Sequence, residues 1–406
     1  MTAPTNILDI RRLLQVMNDH EASDLYVTVG SPPAYRINGI VRPAGSTVLS
    51  PEATEALSLS IMNEKQQQEF LRSNELTLSL YYKNFGRYRA SVFIQKGFIG
   101  LVIRRIKDKI PAFEELGLPP ILQDLSMAKR GLVLVVGATG SGKSTSLASM
   151  IDYRNTNQAG HIICVEDPIE FVHEHKKSLV TQREVGIDTT DFHIALRSAL
   201  RQAPDVIMIG EVRDEETMRA AITYAETGHL CFATLHSNNT YQAMERIMNF
   251  FPPAQHKQIY LQLSLNIRGI VSQRLIRTVD SKRIPAVEIM LGSPRVKDLI
   301  YKGEIGSLKE AIEKSTNLGM QSFDQHLYEL YQAGRISLEE ALKNADSANN
   351  LRLRIKLTTD DSYDDVPNSP FTGTPAPTVA PVEEDTTEDS VLKPITKQEP
   401  LKIQFD

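Results

Sequence analysis

A glycine-rich stretch near the middle of the chain has the residue types and the spacing of a phosphate-binding loop. Residues 137–144 match the pattern GxxxxGK followed by Ser or Thr in full. Glycines let such a loop curl so that its backbone N–H groups point at phosphate oxygens, and a following helix adds positive potential. Lys143 should reach the β- and γ-phosphates, and the Ser144 hydroxyl should bind Mg²⁺. The candidate phosphate ligands are Gly137, Ala138, Thr139, Gly140, Ser141, Gly142, Lys143, Ser144 and Thr145.

Two carboxylates that follow apolar segments are candidates for activating a water molecule. Glu166 follows the predicted strand Ile162–Val165, and Glu211 follows the predicted strand Val206–Ile209. The carboxyl ends of parallel strands meet at one edge of a sheet, so both side chains should lie beside the phosphates. Attack on a γ-phosphate needs an aligned, deprotonated water, and Glu211 is also a candidate for holding Mg²⁺ through water. A helix cap or a surface salt bridge is the alternative for both, and the favoured role for Asp167, Glu170 and Asp214.

Two histidines bracket a further predicted strand, Leu230–Thr234. Either His229 or His236 could sense the γ-phosphate or a neighbouring subunit, and a structural histidine is the alternative for each. The sequence His173-Glu174-His175 lacks further ligands at useful spacing. We therefore expect a solvated loop there rather than a metal site.

The elements around these residues predict a mainly parallel sheet covered on both faces. An apolar strand at Leu132–Val136 precedes the phosphate loop, and a helix at Ser144–Tyr153 follows it. Strands and helices then alternate along the chain, as in α/β proteins. From about residue 252 to residue 349 the pattern predicts helices, most clearly at Met320–Ala333 and Ser337–Ala348.

The first 110 or so residues indicate a separate, smaller α+β unit. Ile10, Leu14 and Met17 recur at helical spacing, and apolar or alternating segments that are typical of strands follow. An antiparallel sheet flanked by helices fits this pattern. We divide the chain into an N-terminal domain at 1–110, a linker with a short helix at 111–128, a domain with the phosphate loop and C-terminal helices at 129–357 and a tail at 358–406.

Composition narrows the class of protein. Of the 406 residues, 41% are apolar and 23% are charged, which is ordinary for a soluble globular protein. Cys164 and Cys231 lie in different apolar segments, so two buried thiols in a reducing compartment are expected. No signal peptide and no membrane-spanning segment is visible. We expect a cytoplasmic protein that reaches any membrane machine through partners.

Charge separates the tail from the body of the chain. From Thr358 to Asp406 there are 11 acidic and 3 basic residues, whereas the preceding residues carry 42 basic and 39 acidic ones. The tail also holds 7 of the 21 prolines, and such a segment is predicted to be disordered. The nearly neutral body lacks the basic bias of a nucleic-acid-binding protein, so no nucleic acid partner is expected.

Four stretches in this order resemble the boxes of the secretion ATPase superfamily, which comprises the type II and type IV secretion and pilus motors. Residues 137–145 (GATGSGKST) are similar to its Walker A box, and residues 165–171 (VEDPIEF) to its aspartate box. Residues 205–214 (DVIMIGEVRD) resemble its Walker B box, and residues 227–236 (TGHLCFATLH) its histidine box. The resemblance covers roughly residues 5–357.

Within the superfamily the chain most resembles the retraction branch, PilT and PilU. Residues 22–25 (ASDL) and 36–39 (RING) are similar to the start of the N-terminal domain of that branch. Residues 146–155, 201–213 and 347–357 look more like PilU than PilT. We expect neither the extra N-terminal domain nor the four-cysteine zinc site that are frequent in assembly and export motors. Where PilT proteins carry an Ala-Ile-Arg box, residues 293–300 read SPRVKDLI, which favours an accessory motor working with a PilT-like ring.

This resemblance implies a PAS-like N-terminal domain and a RecA-like P-loop ATPase domain, assembled as a homo-hexamer with ATP between the two domains. It implies ATP hydrolysis that powers pilus retraction, with an inner-membrane platform protein as partner at the base of the pilus. Arginines of the N-terminal domain would act as fingers on the γ-phosphate. The implied catalytic residues are Glu211, Glu166, Lys143, His229, Arg104 and Arg89, with Arg87 and Arg105 as further finger candidates and a solvated sheet edge as the alternative.

Three other functions are compatible with parts of the sequence. A pilus-assembly or type II secretion ATPase would share the same boxes. A non-enzymatic subunit would bind ATP and contribute contacts only, although the intact Lys143, Glu166 and Glu211 argue against it. A DNA translocase is disfavoured by the nearly neutral body of the chain.

Overall fold

The computed structural model describes residues 9–37, 39–83, 85–106 and 109–358, which form two units that are each built around one sheet. The predicted tail, apart from Thr358, lies outside these residues. Among the described residues, no helix combines the length and the apolarity that are needed to cross a membrane. Cys164 and Cys231 are both buried and free, as predicted.

The N-terminal unit is a six-stranded antiparallel sheet in the order β3-β2-β1-β6-β5-β4. Its strands are β1 Asp24–Val27, β2 Ala34–Ile37, β3 Ile40–Pro43, β4 Glu75–Tyr82, β5 Gly86–Gln95 and β6 Phe98–Ile106. Its helices are α1 Ile10–Asp19, α2 Pro51–Ser60 and α3 Glu64–Ser73. The predicted sheet flanked by helices is present, but β3 was not predicted, because all four of its residues are exposed and show no apolar alternation.

The core of this unit lies on one face of its sheet. Along β5, Tyr88, Ala90 and Val92 are fully buried, whereas Arg87 and Arg89, on either side of Tyr88, point to the other face. Leu14 and Met17 of α1 pack against the buried set. One face is therefore left free for polar side chains, as is common for antiparallel sheets.

Residues 111–128, the predicted linker, hold two short helices, α4 Phe113–Leu116 and α5 Ile121–Ser126. The side chains of Phe113, Leu122 and Leu125 are buried in a core that they share with the second sheet. This segment is consequently packed onto the second unit along its length.

The second unit has a seven-stranded sheet in the order β13-β12-β7-β11-β10-β8-β9. Its strands are β7 Gly131–Val136, β8 Gly160–Glu166, β9 Ser178–Glu184, β10 Val206–Ile209, β11 Leu230–Leu235, β12 Ile267–Arg277 and β13 Arg283–Leu291. All neighbouring pairs are parallel except β12 with β13, which confirms the predicted mainly parallel sheet. Its helices are α6 Lys143–Asn157, α7 Phe192–Ala199, α8 Glu215–Glu226, α9 Thr240–Asn249, α10 His256–Asn266, α11 Pro294–Lys302, α12 Leu308–Glu313, α13 Phe323–Gln332, α14 Leu338–Asn344 and α15 Ala348–Thr358.

Helices cover both faces of this sheet. Leu132, Leu134 and Val136 of β7 belong to one apolar core, and Val133 and Val135 to another on the opposite face. Functional polar side chains are therefore expected at the ends of the strands rather than on a face of the sheet.

The prediction of helices throughout residues 252–349 was wrong for β12 and β13. Most of their residues are buried on both faces, so neither strand shows the alternation that identifies a half-buried strand. Strand β9 was also not predicted. The two predicted helical segments near the C-terminus correspond to α13 and α14.

Candidate nucleotide-binding site

The carboxyl ends of four parallel strands, β7, β8, β10 and β11, meet at a cleft of about 490 Å³. The cleft brings together residues from every predicted box. Its lining includes Thr139, Gly140, Gly142, Lys143, Ser144, Thr145, Glu166, Asp167, Glu170, Glu211 and His236. Residues that are far apart in the sequence thus surround one volume of a size suited to a small ligand.

The phosphate loop connects β7 directly to α6. Helix α6 begins at Lys143, so the loop ends at a helix N-terminus, as the motif requires. The Lys143 Nζ donates to the carbonyl oxygens of Gly137 and Ala138, each at 2.9 Å. The hydroxyl of Ser141 is buried and has no hydrogen-bond partner within the part of the chain that the structure describes. The loop thus offers a cation and a free hydroxyl beside the cleft.

Burial sets the electrostatics of Lys143. The residue is only 8% exposed, and desolvation lowers its pKa, while the carboxylates of Glu211 and Glu170 oppose this. A buried ammonium group is stabilised by nearby negative charge. Phosphate groups would supply such charge, so the site fits a polyphosphate.

Glu166 is a buried carboxyl group at the end of β8. It is 9% exposed, and burial raises its pKa to about 7, although a hydrogen bond from Gln182 opposes the rise. The Gln182 Nε2 donates to the Glu166 Oε1 at 2.9 Å. A carboxyl group with a pKa near neutrality can both accept and release a proton under physiological conditions.

Glu211, by contrast, is engaged by basic side chains. Its Oε2 accepts a hydrogen bond from the Nε of Arg213 at 3.0 Å, and its Oε1 lies 3.0 Å from the Nε2 of His236. Arg213 also binds the Oδ2 of Asp167 at 2.9 Å, so it joins the Walker B and aspartate boxes. These partners fix the orientation of the Glu211 carboxylate at the edge of the cleft.

The two candidate histidines lie at opposite ends of β11. His236 follows the strand and reaches the cleft, whereas His229 precedes the strand and contacts the hydroxyl of Thr227 and the carbonyl oxygen of Tyr224. A six-residue strand separates them by about 20 Å. The structure therefore brings His236, and not His229, to the site of its own subunit.

His173 does not lie in a solvated loop, so that prediction was wrong for this residue. It is 7% exposed and lines the cleft, because its backbone N–H is held by the Gln182 Oε1 at 2.8 Å. Burial lowers its pKa to about 4, which keeps the ring neutral, and its Nδ1 has no hydrogen-bond partner in the described ranges. Among the described residues, no group of three His, Cys, Asp or Glu side chains is arranged to hold a metal ion.

Two of the predicted finger arginines lie opposite each other on the free face of the N-terminal sheet. Arg89 and Arg104 are direct partners in the β5–β6 register. The Arg104 Nε binds the Oδ1 of buried Asp24 at 2.8 Å, and this hydrogen bond raises the pKa of Arg104, with a smaller contribution from Glu170. Burial raises the pKa of Glu184 in β9, which the charge of Arg89 opposes. The face with Arg89 and Arg104 is thus close enough to Glu170 and Glu184 of the second unit, which we call the ATPase unit, for their charges to interact.

Several residues in or beside the cleft were not predicted from the sequence. Gln182 and Gln273 contact the site from β9 and β12, and neither strand was predicted. Leu275 and Arg283 line the cleft from the β12–β13 hairpin. Arg213 could have been proposed as a site residue from the sequence, because it lies two residues after Glu211 on the connection between a predicted strand and the next helix.

The chain is similar to known proteins along most of its length. The family described as "Type II/IV secretion system protein" matches residues 98–355. The chain is 52% identical to the type IV pilus ATPase PilU of Pseudomonas aeruginosa over 88% of this chain and 94% of that protein. It is 43% identical to the type IV pilus retraction ATPase PilT of the same organism, over 83% of this chain and 98% of that protein.

A solved structure extends the comparison to the fold. The crystal structure of the pilus retraction motor PilT with bound ADP superposes with a TM-score of 0.80 at 40% identity. The match covers 85% of this chain and 99% of that one. Both units described above therefore have counterparts in a protein that binds a nucleotide.

Proposed function

The chain belongs to the type II/IV secretion system protein family, in its PilT and PilU branch, and from this premise we propose that it is a ring-forming motor that hydrolyses ATP to drive retraction of a type IV pilus. The observation that carries the proposal is the cleft itself. It sets Lys143 and the phosphate loop opposite two carboxylates, Glu166 and Glu211, within a fold that a retraction motor matches over 85% of this chain. The enzyme is a P-loop ATPase.

Residues 137–145 are assigned to the triphosphate. Their N–H groups and the start of α6 favour negative charge, and Lys143 is the cation that would leave the loop carbonyls for the β- and γ-phosphates. Mg²⁺ prefers hard oxygen ligands and keeps several waters, which fits the Ser144 hydroxyl as a direct ligand and Glu211 as a partner through water. When bound, Mg²⁺ would neutralise charge on the phosphates.

The two carboxylates divide the work because their environments differ. Glu166, with a pKa of about 7, is suited to take the proton of the attacking water. Glu211, held by Arg213 and His236, keeps a fixed orientation and is suited to the metal-bound water. Arg213 binds both Glu211 and Asp167, so it links the Walker B box to the aspartate box in which Glu166 lies.

The nearest source of further positive charge is the N-terminal sheet. Arg89 and Arg104 lie side by side on its free face, and in a ring they would reach the γ-phosphate of a neighbouring subunit as arginine fingers. We propose a homo-hexamer, since a finger supplied by a neighbour makes hydrolysis depend on the closure of one subunit on the next. His229, which lies outside the cleft of its own subunit, is assigned to a subunit contact.

The branch suggests how the motor is used. The similarity to PilU, together with the sequence SPRVKDLI in and before α11, supports an accessory motor that works with a PilT-like ring. Its other partner would be the platform protein at the inner-membrane base of the pilus, reached from the cytoplasmic side. No nucleic acid takes part in this proposal.

A pair of strains tests the function, a clean deletion and a Lys143→Ala replacement, scored for twitching and for surface pili. We expect both strains to keep or over-accumulate pili and to lose movement, and the purified Lys143→Ala chain to lose ATP turnover by about 100-fold or more. Bald cells after deletion would assign the chain to pilus assembly instead. A Lys143→Ala strain that twitches normally, beside an immotile deletion, would reduce the subunit to a role through contacts alone.

A further inference from the structure

One buried glutamine links the phosphate loop to strand β12. The Nε2 of Gln273 donates to the carbonyl oxygen of Ser141 at 2.8 Å, and its Oε1 accepts from the hydroxyl of Ser146 at 2.8 Å. Gln273 is 2% exposed. A single amide therefore holds the chain on both sides of Lys143 and Ser144, two residues before the lysine and three residues after it.

The strand register puts Gln273 in this position. Strands β12 and β7 are parallel, and Ser272 is the partner of Val136, the last residue of β7. The next residue of β12, Gln273, therefore lies beside Gly137, where the chain leaves the sheet to form the phosphate loop. Strand β12 continues past the end of β7 and supports the loop from the side.

The glycines of the loop are shaped to Gln273. A Cβ atom on Gly137 would lie 2.5 Å from the main-chain oxygen of Gln273, and a Cβ atom on Gly142 would lie 2.7 Å from its Nε2. Both distances are too short for any side chain. Two of the glycines in the motif are thus needed for the approach of Gln273 as well as for the approach of phosphate.

Strand β12 is itself anchored on its other side. Arg274 points away from Gln273, and its guanidinium binds the carbonyl oxygen of Asn344 and the Oδ1 of Asp346, each at 2.7 Å. These contacts join the strand to the last residue of α14 and to the segment that follows this helix. The amide of Gln273 is consequently mounted on a strand that is fixed from both sides, which is what a positioning group needs.

We propose that Gln273 is a positioning residue of the phosphate loop, which it holds in the phosphate-ready conformation without touching the nucleotide. This inference rests on the proposed function of the cleft. A glycine-rich loop is flexible, and ordering it on binding reduces affinity. Because Gln273 orders the loop beforehand, its loss should weaken nucleotide binding more than it slows the chemistry at Glu166 and Glu211, which it does not contact.

The test compares full-length variants for the affinity of Mg-ADP, for kcat and KM of ATP hydrolysis and for thermal stability. Gln273→Met keeps the shape of the side chain and removes both hydrogen bonds. We expect the Kd of ADP and the KM of ATP to rise about 10-fold or more, with kcat changed by less than about 3-fold. Ser146→Ala removes one of the two bonds and should give a smaller rise in both constants.

Gln321→Met is the matched control, because Gln321 donates a comparable hydrogen bond to the carbonyl oxygen of Val287 in β13, away from the cleft. It should leave the ADP affinity unchanged even if it lowers stability. The inference is overturned if Gln273→Met and Ser146→Ala bind ADP as the unaltered chain does, or if Gln321→Met weakens binding equally. Failure of the unaltered chain itself to bind ADP would refute the proposed function instead.

Discussion

The two sheets of this chain deliver their functional side chains in different ways. The N-terminal sheet is antiparallel, buries one face and presents arginines from the other, with Arg89 and Arg104 paired across β5 and β6. The ATPase sheet is mainly parallel and buries both faces, so its functional groups come from the ends of its strands. The first arrangement produces a surface, and the second produces a cleft.

The difference has a consequence for what each unit can do alone. The lining of the cleft in the ATPase unit includes Lys143, Glu166, Glu211 and His236, all from one subunit. The arginines instead lie on a face of a sheet, where Arg104 is held by Asp24 of its own subunit. Such a face can act on a nucleotide when another part of the assembly supplies the binding cleft. In a ring, the neighbouring subunit would supply it.

The strongest test of this comparison removes the arginines from the free face. We expect Arg89→Ala or Arg104→Ala to lower kcat by about 100-fold or more in the assembled ring, with ADP affinity nearly unchanged, because a finger acts on transition-state charge. Steady-state turnover and ADP titration measure the two effects. Loss of Arg104 leaves Asp24 still paired with Arg36, so the fold should tolerate the change.

Arg105→Ala is the control for the arginine test. Arg105 is adjacent to Arg104 but points to the opposite side of β6, opposite Tyr88 in the register. It should leave turnover within about 3-fold of the unaltered chain, the size expected for a surface contact. Full turnover by both finger variants, in rings of unchanged size, would mean that the face has no part in hydrolysis.

A second test concerns the ends of one strand. His236 lies at the carboxyl end of β11 and contacts Glu211, whereas His229 lies at the amino end. We expect His236→Ala to lower kcat by about 10-fold, as for a lost orienting contact, with little change in ADP affinity. His229→Ala should have a smaller effect on kcat, and any effect should depend on protein concentration, since it would act through a subunit contact. A larger loss with His229→Ala would show that the amino ends of the strands also contribute to catalysis.

The phosphate site was predictable because its signal is local. The loop, the preceding strand and the following helix occupy consecutive residues, and the predicted strand Val206–Ile209 coincides with β10. Glu166 and Glu211 could be assigned to the same edge, because parallel topology fixes where carboxyl ends of strands lie. Both carboxylates do line the cleft.

The hydrogen bonds that support the site were not predictable, because they come from strands whose sequences show no apolar alternation. Strands β9 and β12 supply Gln182 and Gln273, and each glutamine reaches its target across more than ten residues of sequence. A buried amide among apolar neighbours shows no periodicity of its own. His229 and His236 looked equivalent in sequence, and only the direction of β11 separates them.

The dependence of kcat on pH should be a smaller effect, and it tests the burial of Glu166 at the end of β8. Because Glu166 has a pKa of about 7 in the folded chain and would act as a base in its ionised form, kcat should rise with pH between about 6 and 8, by less than about 10-fold. Glu166→Gln should abolish that limb together with most of the turnover. A kcat that is independent of pH from 6 to 8 would argue that another group accepts the proton.

The ionisation of Glu166 should lower the stability of the folded chain as pH rises, whereas it should raise kcat. The folded-state pKa of Glu166 lies above its usual value of 4.5, so the folded chain binds more protons than the unfolded chain between about pH 4.5 and pH 7. The contribution of Glu166 to folding therefore becomes less favourable as pH rises through this window, by a few kcal/mol at most. Glu166→Gln should consequently stabilise the chain at pH 8 relative to pH 5.5 in thermal unfolding. A Glu166→Gln chain whose gain in stability is the same at pH 5.5 and at pH 8 would contradict this prediction.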